Sequence, residues 1–497
     1  MVEFSGMLLP IVHPELALLV AVGVFAGIYV GAIPGLSVTM AVSLLISFTF
    51  SWDTWPAIAL MVGIFSGGVY GGSRSAILLN IPGAPAAIAT TFDGYPLSLK
   101  GEAGKAIGIT VVESVIGGIL GCIALAVAAP MVAKIALSFS PIDYFLLGAM
   151  GLLLVGSLGV DSTYKGIFCG ALGVFIGCIG IDGISGMQRF TYGSNALMSG
   201  LNYITAMIGL FGISEALIQL KYLDANIVKQ KVDKIIPSWG SVLKYMPLTL
   251  RTSLIGIIIG ALPGTGGDIA ALISYDHAKR TVRNPEVPFG EGAVEGLVAP
   301  ESANNAAIGG SFIPMLTLGI PGDAVTAVFI GALYIHGLKP GPMLMIESPD
   351  MFGLIVGSLF ISNIFLLIFG MTGIKIFTRV VEVKKSILLP IIMILSIIGS
   401  YTINNSMADI FWTIGFGILG YFLKIYGYPI GPVVLGIILS PLLELNLRRA
   451  LMSAESSIIL LFRDIFTQPI SIVLIMFIIL SILSQNKNVK RLLNKFM

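Results

Sequence analysis

Apolar runs long enough to cross a bilayer alternate with short polar breaks along most of the chain. Ile107 to Met131, and Ile470 to Leu483 with its flanks, have the length that a hydrocarbon core about 30 Å thick demands. Such runs predict transmembrane helices. Against this background, residues 299–322, APESANNAAIGGSFIPMLTLGIPG, set two asparagines, two serines, a glutamate and three prolines (Pro300, Pro314, Pro321) inside an oily run. The pattern predicts helix-breaking polar structure at membrane depth. There, unpaired backbone groups must be buried in protein or line a watery cavity.

Two sequence matches recur in the same order. GIYVGAIPG (27–35) is answered by GIIIGALPG (256–264), and YGGSRSAILLNIPG (70–83) by IGGSFIPMLTLGIPG (308–322) with one residue inserted. They divide the chain into a first transmembrane repeat (1–220), a polar linker (221–240) and a second repeat (241–497) with a basic tail. The linker, KYLDANIVKQKVDKIIPSWG, reads as a loop or a short amphipathic surface helix.

The first 73 residues contain no Lys or Arg, and Trp52 and Trp55 suit an interfacial belt. The matching place in the second half holds Lys279, Arg280 and Arg283. Because basic residues stay cytoplasmic, the two Pro-Gly elements should face opposite sides, as an inverted-topology repeat does. The basic tail puts the C-terminus in the cytoplasm. The expected fold is an all-α polytopic membrane protein with broken helices and re-entrant hairpins, about 11–13 transmembrane segments in all.

Composition agrees: of 497 residues, 56% are hydrophobic and 11% charged, and mean hydropathy is +0.97. A net charge of +2 carries no footprint of nucleic acid. Cys122, Cys169 and Cys178 lie in separate apolar contexts, and His13, His277 and His336 are far apart, so no metal site is expected beyond a bound sodium ion. The N-terminus lacks a basic n-region and a small-residue cleavage site, so no removable signal peptide is expected. Neither a Gly-x-Ser-x-Gly elbow, an HExxH pair nor a Walker-type loop is present, which argues against an enzyme and against ATP as the driving force.

Four breaks, Pro34-Gly35, Pro82-Gly83, Pro263-Gly264 and Pro321-Gly322, fall in corresponding pairs. Interrupted segments paired across two halves mark a transporter's binding site, where helix N-termini offer free N–H groups to an anion. The candidate substrate-binding residues are these eight, with Ser37, Gly71, Gly72, Ser73, Asn80, Thr265, Gly266, Gly267, Ser302, Asn304, Asn305, Gly309, Gly310, Ser311 and Thr317. Asp268, Glu301, Asn304 and Asn305 are the candidates for a coupling ion, Na+ or H+; no other cofactor is expected. Simple kinks and helix–helix packing also produce such residues, and Asp268 reads equally as a helix cap. Arg74 reads either as a partner of a substrate carboxylate or as the offset of a nearby acid such as Asp53 or Asp93. Asp93 itself reads as a turn and capping residue.

These motifs carry a resemblance. GVYGGSRSAILLNIPGAPAAIATTFDGYPLSLKGEAGKAIG (68–108), FGEGAVEGLVAPESANNAAIGGSFIPMLTLGIPGDAVTAVFIGAL (289–333) and GLKPGPML (337–344) resemble the large membrane subunit of the tripartite tricarboxylate transporters, from about residue 20 to 345. The resemblance implies a secondary transporter of the inner membrane that takes up carboxylates such as citrate, driven by an ion gradient. It also implies a small companion membrane subunit and an extracytoplasmic solute-binding protein. Arg74 departs from the family pattern, where this position is uncharged, and leaves the substrate open. A stand-alone transporter or a channel is the alternative reading, with an intramembrane enzyme further off.

Overall fold

In the computed structural model, the structure describes residues 4–33, 36–157, 162–182, 184–222, 235–237, 239–373 and 385–484. Pro34, Gly35, most of the linker (223–234 and 238) and the basic tail (485–497) lie outside the described residues. Among the described residues, seven helices are long and apolar enough to cross a membrane, or up to eight if the bent pair Ile458–Thr467 and Pro469–Ile479 is one span. Shorter apolar helices of 10–17 residues accompany them. The chain is an all-α polytopic membrane protein, apart from a two-stranded hairpin, Gly180–Ile181 with Gln188–Arg189.

The helices that build the site are numbered in chain order: α1 (Pro14–Ala32), α2 (Val38–Thr49), α3 (Thr54–Leu79), α4 (Ala87–Leu99), α5 (Ala103–Ala136), α6 (Trp239–Ala261), α7 (Gly266–Thr281), α8 (Glu295–Leu318), α9 (Ala324–Ile335) and α10 (Pro349–Thr372). Local chemistry sets their ends. The Ser37 hydroxyl caps α2 by accepting the Met40 N–H at 3.1 Å. Asn80 ends α3 and Gly319 ends α8 in the left-handed conformation (φ 57° and 71°). Asp323 and Thr326 form a capping box at the start of α9.

Small residues bring α1 and α3 into backbone contact. A β-carbon added at Gly27 would lie 2.4 Å from Ile64 O, and one at Gly31 2.1 Å from Gly68 O, so the two helices run parallel. The pair α6 and α8 repeats this: a β-carbon at Gly256 would meet Ala303 O at 2.2 Å, and one at Gly260 would meet Ala307 O at 2.5 Å. The two pairs run in opposite directions. Ser73 of α3 meets Glu301 near the start of α8, and Phe65, earlier in α3, meets Phe312 nearer the end of α8.

The packing pairs the two matched segments in a register one residue away from the sequence match. Gly71 lies against Ile28 O and Gly310 lies against Ile257 O, so Gly71 pairs with Gly310, not with Gly309, and the inserted residue disappears. Gly83 then tucks over Gly31 O as Gly322 tucks over Gly260 O.

A second correction concerns the polar stretch itself. Residues 295–318 form one continuous helix that passes through Pro300 and Pro314. The carbonyls that lose their donors belong to Gly296 and Gly310, where the backbone tilts at little steric cost. The chain breaks only after Leu318.

Candidate functional site

Four helix starts meet at one cavity of about 200 Å³. Its wall includes Ser37–Thr39 at the start of α2, Ala84–Ala86 before α4, Gly264–Asp268 at the start of α7, and Asp323–Val325 at the start of α9. Phe65, Val69, Phe211, Ile308 and Leu435 give it apolar sides, and Asn304 projects from α8. Each helix start has N–H groups that the helix's own carbonyls do not serve and about half a positive charge; side chains take some of them, Ser37 the Met40 N–H, Asp268 the Ala86 N–H and Asp323 the Thr326 N–H. The lining holds two carboxylates, Asp268 and Asp323, and no Lys, Arg or His among the described residues.

From this cavity the short helices leave in opposite directions. α2 and α9 pack on each other and end where Phe50, Asn202, Tyr203, Tyr334 and Asp409 line a wider pocket of about 630 Å³, at the end of the molecule that carries Trp52. At twelve residues each they are about 18 Å long, which separates the two spaces. α4 and α7 pack together toward the other end. There Lys100 donates to Glu291 O and Arg280 pairs with Asp276.

The structure sorts the sequence candidates. Ser37, Gly264, Thr265, Gly266, Gly267, Asp268 and Asn304 line the cavity. Pro82, Gly83, Pro263, Pro321 and Gly322 set the turns beside it: Gly83 N–H reaches Gly72 O at 3.4 Å, and Gly264 N–H donates to Pro321 O at 3.2 Å, tying the third break to the fourth. Pro34 and Gly35 are not described, although Ser37 and Leu36 follow them directly.

Other candidates do not line the cavity. Gly71, Gly72, Gly309 and Gly310 are packing contacts, Gly309 against Gly121 O of α5. Ser302, Ser311 and Thr317 return their hydroxyls to α8 carbonyls (Val298, Ile308 and Ile313), and Ser302 also meets Thr252 at 2.7 Å. Asn80 is exposed at its cap. Helical periodicity is the reason for the split on α8: Asn304 and Ile308 share the face toward the cavity, while Glu301 and Asn305 share another.

Glu301, expected near the ion, is a structural knot. It accepts from Ser73 Oγ at 2.5 Å and Thr90 Oγ1 at 2.6 Å on one oxygen, and from Ser114 Oγ at 3.0 Å on the other. These hydroxyls come from α3, α4 and α5, so one carboxylate holds three helices to α8. Asn305 donates to Glu301 O at 3.1 Å.

Arg74 neither faces the cavity nor pairs with Asp53 or Asp93. It donates to Phe369 O at 2.9 Å and Gly370 O at 2.7 Å, where the last carbonyls of α10 need donors. Asp93 is an anchor between distant segments: its Oδ1 accepts the N–H groups of Gly290, Gly292 and Ala293, and its Oδ2 accepts the Tyr275 hydroxyl. Asp323 is the cavity residue that the sequence reading missed. Its D-x-x-T spacing advertised a helix cap, which it is, and its place directly after Pro321-Gly322 was the available signal.

Comparison with known proteins now bears on this geometry. The family model "Tripartite tricarboxylate transporter TctA family" matches residues 17–435. The chain belongs to the tripartite tricarboxylate transporter TctA family. As a TctA-family protein it is a multi-pass membrane component of a transporter class, not a member of an enzyme family. A relative from Agrobacterium vitis, "Uncharacterized 52.8 kDa protein in TAR-I ttuC' 3'region", is 37% identical over 411 residues, covering 82% of this chain and 81% of the relative. A second from the same organism, "Uncharacterized protein in TAR-II ttuC' 3'region", is 43% identical over 196 residues, 39% of this chain and 81% of the relative. No solved structure matches the chain.

Proposed function

We propose that this chain is the large membrane subunit of an ion-gradient-driven importer of a carboxylate, a tricarboxylate or related organic acid. Its partners in this reading are a small membrane subunit and an extracytoplasmic solute-binding protein that delivers the substrate. The protein sits in the inner membrane with the end bearing Lys100 and Arg280, and the C-terminus, in the cytoplasm. A gradient of Na+ or H+ drives uptake.

One observation carries the reading: four helix starts, each following a member of two oppositely directed helix pairs, share a single cavity. Two helices, α2 and α9, separate it from the wide pocket at the tryptophan end. Two others, α4 and α7, separate it from the basic end. That arrangement supports an inverted repeat, with alternating access through relative movement of the two pairs. Main-chain dipoles, not basic side chains, receive the anion.

The test is uptake of a panel of carboxylates into liposomes holding the chain and its candidate partner subunits, under imposed Na+ and proton gradients. Saturable uptake with counterflow is expected, and Asn304→Ala should abolish it while leaving membrane insertion intact. Flux that does not saturate would make the protein a channel, and chemical change of the solute would make it an enzyme.

A further inference from the structure

α5 carries a carboxyl group at membrane depth that the cavity does not use. Glu113 stands ten residues past the first residue of α5, about 15 Å from its basic end, and is 1% exposed. α8 and α10 cover this stretch: a β-carbon at Gly117 would meet the Ser302 backbone, and one at Gly118 the Asn363 amide. Among the described residues one side chain serves Glu113, the Thr249 hydroxyl of α6, which donates to Oε2 at 2.6 Å. None of them donates to Oε1. One turn further along the same face of α6, the Ser253 hydroxyl is 1% exposed and has no partner among the described residues. Nearly every buried polar group in a protein has a partner, so this layer holds hydrogen-bonding capacity for something smaller than a side chain.

The charged and titratable groups on the helices packed against α5 are engaged elsewhere. On α8, Glu301 is held by its three hydroxyls, and Glu295 lies nearly two turns nearer the basic end. On α3, Arg74 serves the last carbonyls of α10 and donates its Nε–H to the Tyr70 hydroxyl. On α6, Arg251 turns outward to Pro247 O, Lys244 pairs with Glu286, and Tyr245 lies one turn from Thr249. α4 brings Asp93, bound by backbone N–H groups and Tyr275, and α10 brings Asp350 at its opposite end. No base pairs with Glu113 among the described residues. Three hydroxyl donors suit an ionised carboxylate; one hydroxyl leaves most of that charge unpaired within hydrocarbon. A proton on Oε1 neutralises the group and makes that oxygen a donor.

We propose that Glu113 is a proton-binding site apart from the cavity, and that its proton travels with the anion. The proton site stands by itself; the coupling rests on the transport reading above. A short path links the two places. Ser114, next to Glu113, donates to Glu301, Glu301 also accepts from Thr90, and Thr90 stands in the first turn of α4, whose start lines the cavity. A charge on Glu113 adds to that of Glu301 and opposes an anion at the start of α4. A neutral Glu113 removes that opposition. By linkage, an anion in the cavity then holds the proton on Glu113.

Infrared difference spectra of the full-length protein in nanodiscs, recorded across pH, read the carbonyl band of a protonated carboxyl group. That band should be present in the parent and missing in Glu113→Gln, and Glu15→Gln, at the exposed start of α1, should leave it in place. In liposomes with the candidate partner subunits, carboxylate uptake by the parent should carry protons inward. Glu113→Gln should lose roughly 5-fold or more of the uptake driven by an imposed proton gradient while still exchanging substrate across the membrane.

If Glu113→Gln fails to fold, Glu113→Asp carries the test, since a shorter acid at this position must shift the band. An unchanged band in either variant would overturn the site. Gradient-driven uptake equal to the parent's in Glu113→Gln, or loss of exchange together with driven uptake in a folded protein, would overturn the coupling. Saturable uptake with an unchanged band would end the site and leave the transport reading standing. A band that Glu113→Gln removes, in a protein that takes up no acid, would do the reverse.

Discussion

Glu301 offers the sharpest separation of a structural carboxylate from a functional one. In Glu301→Ala three buried hydroxyls, those of Ser73, Thr90 and Ser114, lose their acceptor at once. Side-chain hydrogen bonds within membrane proteins contribute about 0.6 kcal/mol on average, and bonds to a charged group in soluble proteins about 1.5 kcal/mol or more. Three of them give a loss of about 2–4 kcal/mol. That shift changes the folded-to-unfolded ratio by a factor of roughly 30 to 1000.

Glu301→Gln is different. Its oxygen can still accept from Ser73 and Thr90, and its amide can donate to Ser114 with that hydroxyl turned round, so a loss under about 1 kcal/mol is expected. Equilibrium unfolding in nanodiscs measures both variants, and saturable uptake in liposomes is followed in parallel. The reasoning fails if Glu301→Ala unfolds like the parent. It fails equally if Glu301→Gln folds normally but no longer supports uptake, since that would give the Glu301 carboxylate a part in transport.

Other outcomes follow from the packing. Gly83→Ala and Gly322→Ala push a methyl group to 2.1 Å from Gly31 O and 2.5 Å from Ser311 Cα; each should cost about 1–3 kcal/mol or prevent folding, seen as a lowered midpoint in detergent, and two well-tolerated variants would contradict the close approach. Arg74→Lys loses the Nε–H bond to the Tyr70 hydroxyl and the rigid plane that holds Nη2 between Phe369 O and Gly370 O, so stability should fall by about 1–3 kcal/mol while KM for substrate stays constant; a changed KM would place Arg74 in the site. In the hairpin at 180–189, the N–H groups of Ser185 and Ile184, with Arg448 beside them, hold the Asp182 carboxyl at about 2. Because this folded value is depressed, the carboxylate's contribution is complete above the ordinary carboxylate range and is lost as pH falls toward about 2. Hydrogen exchange should therefore find the Ile184 and Ser185 amides protected at pH 5 and losing that protection near pH 2, whereas in Asp182→Ala, which has no acceptor, they should be unprotected at both.

The breaks were legible in the sequence because Pro-Gly at membrane depth has few structural solutions. The family was legible for the same reason, in the residues around those breaks. The facing of α8 was not: Asn304 and Asn305 are neighbours in sequence, and only the position of α7 decides which of them sees the cavity. Matching GGS to GGS misled by one residue, because what packing requires is a small residue opposite a partner carbonyl. Gly71 and Gly310 meet that requirement, whereas Gly309 meets it against a different helix, α5. Arg74 read as the partner of an acid, either a substrate carboxylate or a nearby aspartate, because a charge in an oily run invites a charged partner. The last turn of α10, far along the chain, gave it carbonyls instead.

If the cavity receives its anion through peptide dipoles, as proposed, a pharmacological corollary follows. Reagents that acylate lysine or condense with arginine would find no target on its described wall. Blockade would call for a compound shaped to the helix ends themselves, which no substitution of a lining side chain removes.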